Sequence, residues 1–148
     1  MATSTALKVV AFKGDNGKYL KSVTISGKKC LQLSADDSKG EETHFQLQPN
    51  YDPKFPDKEY KIRSEPSNKV WELDKVSLLV LDKSDPNNNS TDVWFTMKVA
   101  GDHLFAIKSV SNNMYCQRYS QGEYIDCLFT YNASISDQAK FTMEEVSP

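Results

Sequence analysis

The sequence is poor in the residues that most catalytic and metal sites require. Its 148 residues include three cysteines and two histidines. Cys30, Cys116 and Cys127 lack the close spacing of a metal or redox motif, which favours buried free thiols. His44 and His103 lie outside any recognisable nucleophile motif, and no histidines and cysteines cluster as zinc ligands do. We therefore expect a protein that is not an enzyme and needs no metal or cofactor.

The sequence also lacks an excess of charge of either sign. Eighteen basic residues are balanced by twenty acidic ones, and the formal net charge is -2. This argues against a nucleic-acid-binding protein, which concentrates lysine and arginine on one face, but it leaves room for a local basic patch. Acidic pairs such as Asp36 and Asp37 are adjacent in polar turns, so they are not the opposed carboxylates of a glycosidase.

Long hydrophobic runs are absent as well, and none approaches the roughly 18 residues of a membrane span. The N-terminal stretch MATSTALKVVAF has a short apolar part that Lys8 interrupts, and it does not resemble a secretory leader. The prediction is a cytoplasmic or nucleocytoplasmic protein without a membrane span.

What the sequence does contain is a threefold repeat. Its first word is FKGDNGKYL from Phe12, IRSEPSNKVW from Ile62 and IKSVSNNMY from Ile107, the second copy being longer by one residue near Pro66. Each copy has an apolar, a basic and a small residue, then a polar turn and a bulky residue. The first copy lacks the full spacing of a phosphate-binding loop, and the later copies lack its glycines. We therefore interpret this word as a hairpin turn.

A second word recurs in step with the first: HFQLQ, WFTMK and KFTME, which contain Phe45, Phe95 and Phe141. Between the two words each unit has another apolar run: CLQL, LLVL or IDCLF. About four short strands per unit, with at most one helical turn between Asp36 and Phe45, predict an all-β chain. Three such units predict a β-trefoil, a six-stranded barrel closed by three hairpins, with the three phenylalanines in its core.

The length favours one domain over residues 1–148, with repeats at about 7–56, 57–100 and 101–148. The longest interruption, QPNYDPKFPDKEY from Gln48 to Tyr60, contains three prolines. We interpret it as an ordered loop rather than a domain linker, because a unit of this size could not bury a core alone.

The predicted loops combine asparagine, aspartate, serine and lysine with tyrosine and tryptophan. An aromatic ring covers the apolar face of a sugar, while amides, carboxylates and hydroxyls bind its hydroxyl groups. This mixture is compatible with carbohydrate binding, but any polar turn has a similar composition.

The segments FKGDNGKYLKSVTISGKKCLQLSADD and IRSEPSNKVWELDKVSLLVLDKSDPNNN resemble the agglutinin domain of amaranthin-like plant lectins. The resemblance covers about Val9 to Phe141 and is weakest in the last unit. It implies a β-trefoil lectin that binds galactose- or GalNAc-type glycans, such as Galβ1-3GalNAc, without metal. Sugars in that family lie where one domain meets another, so the resemblance also implies a homo-oligomer.

The family's sugar-contacting loop follows the Asn-Lys-aromatic word of the second unit. The resemblance therefore places it here in NKVWELDKVSL, at Asp74, Lys75, Val76 and Ser77. The competing interpretation of these residues is ordinary hairpin-turn chemistry.

Trp71 is a further candidate, because an indole ring can stack on a sugar. Its place in the repeat matches Leu20 and Tyr115, which favours a core position instead. The equivalent turn of the first unit supplies three more candidates for sugar contact, Asn16, Lys18 and Tyr19.

Two other functions fit the same fold. A protein-interaction trefoil could bundle actin or inhibit a protease, although the first would need basic patches and the second usually needs secretion and disulfides. The chain could also be the lectin module of a larger pore-forming protein. Binding to glycans or glycoproteins is the preferred prediction.

Overall fold

The computed structural model describes residues 8–49 and 59–146, and the predicted ordered loop at 48–60 lies mostly outside them. Twelve strands occupy the described residues: β1 Val9–Lys13, β2 Tyr19–Ile25, β3 Lys28–Ala35, β4 Phe45–Pro49, β5 Glu59–Ser64, β6 Val70–Leu73, β7 Val80–Ser84, β8 Phe95–Gly101, β9 Leu104–Ser109, β10 Tyr115–Gln121, β11 Tyr124–Asn132 and β12 Phe141–Glu145. Short 3₁₀ helices lie at Glu41–Thr43, Thr91–Val93 and Asp137–Ala139. Within these two ranges no helix is long and apolar enough to cross a membrane.

Six of the strands form a closed antiparallel barrel. Strand β1 pairs with β4, β4 with β5, β5 with β8, β8 with β9, β9 with β12, and β12 again with β1. The remaining strands form three hairpins, β2–β3, β6–β7 and β10–β11, which are joined to one another at one end of the barrel. This is a β-trefoil, and the predicted fold class is confirmed.

The barrel core follows the repeat. Phe45, Phe95 and Phe141 are 0%, 0% and 1% exposed, and each begins a strand directly after the residue that caps the C-terminal end of a 3₁₀ helix. Phe12 and Trp71 join them, because the Trp71 ring centroid lies 5.4–5.9 Å from the rings of three phenylalanines. Such tilted and edge-on aromatic pairs add to the energy of apolar burial.

The structure corrects the repeat alignment by one residue. The barrel strands meet the hairpins at Lys13↔Tyr19, Arg63↔Val70 and Lys108↔Tyr115. The turn is therefore one residue longer in both the second and the third unit than in the first. Each hairpin has a bulge, and the residue that directly follows the bulge packs in the core. These core residues are Leu20, Trp71 and Cys116. Cys116, not Tyr115, is the counterpart of Trp71.

The turn in the first repeat word is a hairpin connection, as predicted. Gly17 has φ +78° there, and its counterparts Asn68 and Asn113 have φ 61° and 60°. Glycine and asparagine tolerate this left-handed backbone better than other residues. Gly14 serves another purpose, because a Cβ at this position would lie 2.9 Å from a methyl carbon of Leu33.

A second apolar cluster holds the three hairpins together on the pseudo-threefold axis. Single bridges link them in a ring: Cys30↔Leu81, Leu79↔Phe129 and Cys127↔Gln32. The cysteines of this cluster are fully buried free thiols. The ring places the tip of each hairpin beside the flank of the next one, and the predicted loop at Asp74–Ser77 lies at one of these junctions.

Candidate functional site

Asp74 organises the loop between β6 and β7. Its carboxylate accepts hydrogen bonds from the Val76 N–H at 3.1 Å and from the Ser77 hydroxyl at 2.8 Å. The Ser77 Oγ in turn accepts the Leu79 N–H at 3.2 Å. Partial burial raises the pKa of Asp74, but these hydrogen bonds and the nearby Lys28 outweigh it, so the net shift is downward. Asp74 and Ser77 therefore shape the loop, as turn chemistry predicts.

The other two predicted residues of this loop face outward. Val76 is 95% exposed at the tip, which is unusual for an apolar side chain. The Lys75 ammonium lies 3.5 Å from the Asp92 carboxylate, and this ion pair directs the Lys75 side chain toward the 3₁₀ helix at Thr91–Val93. The loop thus presents Val76 and one side of Ser77 to any ligand.

Beside this loop lies a cavity of about 350 Å³, here called the aromatic cavity. Its lining comes from the second-unit loop and from the third-unit hairpin: Val76, Ser77, Leu79, Gln121, Gly122, Glu123, Tyr124, Phe129 and Tyr131. The two parts meet because of the bridge between Leu79 and Phe129. Half of the predicted loop therefore borders a shaped, partly apolar recess.

Stacked aromatic rings form one wall of the cavity. Phe129 and Tyr131 point to the same side of β11 because they are two residues apart, and their ring centroids are 5.2 Å apart at an interplanar angle of 11°. Tyr119 packs edge-on against both, at 5.5 and 4.8 Å. The Tyr131 hydroxyl donates to the Gln121 side chain at 2.6 Å, which fixes the position of the ring. This wall combines packed aromatic rings with the polar groups of Tyr131 and Gln121.

The three candidates of the first unit are engaged elsewhere. Asn16 donates to the Leu33 carbonyl at 3.0 Å and accepts the Lys18 N–H at 3.1 Å, so it builds its own turn. The Lys18 ammonium pairs with Asp36. The Tyr19 hydroxyl donates to Glu144 at 2.8–2.9 Å, and this hydrogen bond raises the pKa of Tyr19. None of the three lines the aromatic cavity.

Trp71 is excluded as a sugar-stacking residue. Its side chain is 0% exposed and lies in the barrel core among phenylalanine rings. The residues that sequence reasoning missed are those of the third-unit hairpin, above all Glu123, Tyr124 and Tyr131. The segment YIDCLFTYN does place aromatic residues two apart, but nothing in it shows that they face the loop of another repeat.

The histidines do not form a catalytic arrangement in the described ranges. The His44 ring Nε2 lies 2.7 Å from the Ser38 carbonyl oxygen, a partner that is not a nucleophile. His103 is 90% exposed beside Asp102. Over residues 8–49 and 59–146 no group of three potential metal ligands is found.

A family model for the agglutinin domain matches residues 5–146. The chain belongs to the agglutinin domain family. The resemblance inferred from the sequence is thereby confirmed, and the family supports carbohydrate binding as the class of function. No curated protein sequence matches this agglutinin domain significantly.

Solved structures with the same fold have little sequence in common with the agglutinin domain. The designed threefold-symmetric protein ThreeFoil superimposes with a TM-score of 0.75 at 14% identity, covering 93% of this chain and 99% of its own. The BEL β-trefoil gives 0.72 at 16% identity, with coverages of 99% and 97%. A Polyporus squamosus lectin, solved with the epitope Neu5Aca2-6Galb1-4GlcNAc, gives 0.73 at 9% identity, with coverages of 97% and 50%. At these identities the similarity establishes the fold alone.

Proposed function

We propose that this agglutinin domain binds galactose- or GalNAc-type glycans in the aromatic cavity, without catalysis. The observation that carries the proposal is the ring of Tyr131, which lines the cavity together with the family-matched loop and stacks on the buried Phe129. Sugar recognition needs an apolar surface for the C–H face of the ring and polar groups for its hydroxyls. The partly exposed ring of Tyr131 and the exposed side chain of Val76 supply the first requirement.

Glu123, Gln121 and Tyr124 supply the second requirement at the rim. A carboxylate accepts two hydroxyl hydrogens, and an amide both donates and accepts. The cavity volume of about 350 Å³ fits one or two sugar rings and lies near the lower end for ligand sites. We therefore expect a disaccharide of the Galβ1-3GalNAc type as the strongest small ligand.

A single shallow site of this kind binds weakly. Linking two or more such sites raises apparent affinity by roughly 10²–10⁴. A homo-oligomer is therefore part of the proposal, and a sizing measurement at working concentration tests it. Monomeric behaviour at all concentrations would contradict this part alone.

The test is glycan binding by the wild type and by two variants of the rim. Val76→Glu places a charge at the cavity mouth without disturbing the fold, because Val76 is 95% exposed. Glu123→Gln removes a hydrogen-bond acceptor site while keeping the shape. We expect each variant to weaken binding to a Galβ1-3GalNAc probe at least about tenfold, the loss of one good hydrogen bond or contact.

The matched control is Val99→Glu, which adds the same charge at a valine that is 69% exposed on β8. It should leave binding unchanged. No binding to any galactose- or GalNAc-terminated glycan would refute the proposal. A pull-down of glycoproteins that free sugar does not compete away would instead favour the protein-interaction alternative.

A further inference from the structure

A second cleft, of about 580 Å³, lies on the other side of the Asp74 loop. Four lysines line it, and we call it the lysine cleft: Lys28, Lys29, Lys69 and Lys83. Two come from the tip of the first hairpin and two from the second unit. All four are exposed. The evenly mixed charge of the sequence thus conceals a local basic patch.

The lysine cleft is the repeat-related counterpart of the aromatic cavity. The bridge Cys30↔Leu81 joins the first and second hairpins as Leu79↔Phe129 joins the second and third. Leu81 and Phe129 are therefore equivalent, and each lines its own recess. Two residues further along the strand, Lys83 occupies the place that Tyr131 has in the aromatic cavity.

The third junction of the same kind is crossed by a hydrogen bond within the protein. The bridge Cys127↔Gln32 closes the ring between the third and first hairpins. There the Gln32 side-chain amide donates to the Ile125 carbonyl at 2.9 Å. The recesses at the other two junctions differ in the chemistry of their linings.

The lysines of the cleft are only partly neutralised. The Lys28 ammonium lies 3.7 Å from the Asp74 carboxylate, and the Lys83 ammonium lies 3.9 Å from Glu72. In the described part of the chain, Lys29 and Lys69 have no carboxylate within ion-pair distance. The lining also contains two carboxylates, Asp74 and Asp82, so four lysines and two aspartates leave a formal excess of two positive charges, which attracts an anion. The cleft is therefore prepared for a negatively charged group.

At the floor of the cleft lies the carboxylate of Asp82, which already has hydrogen-bond partners within the protein. Asp82 is 1% exposed and accepts hydrogen bonds from the Ser22 hydroxyl at 2.7 Å and the Ser67 hydroxyl at 2.8 Å. Leu81 provides an apolar patch beside it. A ligand that combines an anionic group with a compact, partly apolar body fits these surroundings better than an extended polyanion, which needs a track of cations.

We propose that the lysine cleft is a second glycan site, selective for a sugar that carries a sulfate ester or a carboxylate. Lys29 and Lys69 bind the anionic group, and the sugar ring lies toward Leu81. The inference rests on the proposed function, since it takes the ligand to be a glycan. The domain would then bind a neutral sugar at one hairpin junction and an acidic sugar at the next.

The experiment compares three probes with the same galactose core: unsubstituted, sulfated and sialylated. Lys29→Gln with Lys69→Gln removes the charges of the two cleft lysines that have no carboxylate partner among residues 8–49 and 59–146. Lys8→Gln with Lys39→Gln removes the same charge from exposed lysines that do not line it. We expect the cleft variant to lose about tenfold in affinity per lysine for one of the acidic probes, and to keep its affinity for the neutral one.

The control variant should behave like the wild type, and acidic-probe binding should weaken as salt rises. Whichever acidic probe is preferred identifies sulfate or carboxylate as the group. Equal affinity for all three probes, or a preference that the cleft variant retains, would overturn the inference. So would binding to any polyanion, such as a DNA duplex, as tightly as to the sulfated probe.

A titration with inorganic sulfate, followed by amide NMR shifts, separates this inference from the proposed function. Saturable shifts at Lys29 and Lys69, absent from the cleft variant, support the anion site even if neutral glycans do not bind. If sulfate produces only small shifts spread over all lysines and no acidic probe binds, the inference fails. Neutral-glycan binding would then still stand on its own evidence.

Discussion

Trp71 offers the sharpest test of the division between core and binding surface. Its side chain is 0% exposed and contacts the rings of Phe12, Phe45 and Phe95. Replacing a buried tryptophan by alanine typically costs about 3–5 kcal/mol of unfolding free energy. The three aromatic contacts place Trp71→Ala toward the upper end of that range, since each adds about 0.5–1.5 kcal/mol beyond apolar burial.

Trp71→Phe should behave quite differently. In the described residues the indole N–H of Trp71 has no hydrogen-bond partner. Phenylalanine removes this buried unpaired donor, a relief of about 1–3 kcal/mol. It also loses about one or two methylene equivalents of apolar burial, roughly 0.8 kcal/mol each. The two effects nearly cancel, so we expect Trp71→Phe to change the unfolding free energy by no more than about 1–2 kcal/mol.

Urea denaturation followed by far-UV circular dichroism measures both variants without relying on tryptophan fluorescence. The glycan affinity of Trp71→Phe should equal that of the wild type, because the ring does not reach the surface. A loss of glycan binding in the folded Trp71→Phe protein would refute the assignment of this residue to the core. A cost below about 1 kcal/mol for Trp71→Ala would refute the packing argument.

Two further predictions concern charge and thiols. Arg118 donates two hydrogen bonds to Asp15, at 2.7 and 2.8 Å, and these hold the pKa of Asp15 below its ordinary value. Because the pKa of Asp15 is lower in the folded state than in the unfolded state, ionised Asp15 stabilises the fold at pH values above its unfolded-state pKa. This stabilisation is lost as the pH falls through the folded-state pKa. Asp15→Asn should therefore cost about 1–2 kcal/mol near about pH 7, and the cost measured by urea denaturation should shrink as pH falls below the ordinary aspartate pKa of about 3.9; a cost that does not change with pH would contradict this. All three cysteines are buried free thiols, and burial raises the pKa of Cys116. An aromatic disulfide reagent should therefore label the native protein slowly and the urea-unfolded protein at once. Rapid labelling of one thiol in the native protein would contradict the burial.

Much of the fold could be predicted from the sequence. The spacing of Phe45, Phe95 and Phe141 revealed the repeat, because each repeat must bury the same position in a shared core. The alternation of short apolar runs and turn residues then indicated an all-β trefoil. The alignment missed one residue, pairing Trp71 with Tyr115 instead of Cys116, because the third-unit turn is one residue longer than the first and the bulky Tyr115 lies directly before the core residue.

The candidate site could be predicted only in part. The resemblance located the Asp74–Ser77 loop, and turn chemistry explained Asp74 and Ser77. The sequence did not reveal that Val76 and Tyr131 line the same cavity. It also did not reveal that Lys29 and Lys69 share a cleft.

The sequence alone thus determined three similar units, their core positions and the local shape of each turn, since these depend on residues close together in the chain. The tertiary structure decided which hairpin tip lies against which neighbouring flank. Closing the barrel brings the ends of separate repeats into contact around the pseudo-threefold axis. Both recesses lie at those contacts, so their chemistry combines residues that are far apart in the sequence.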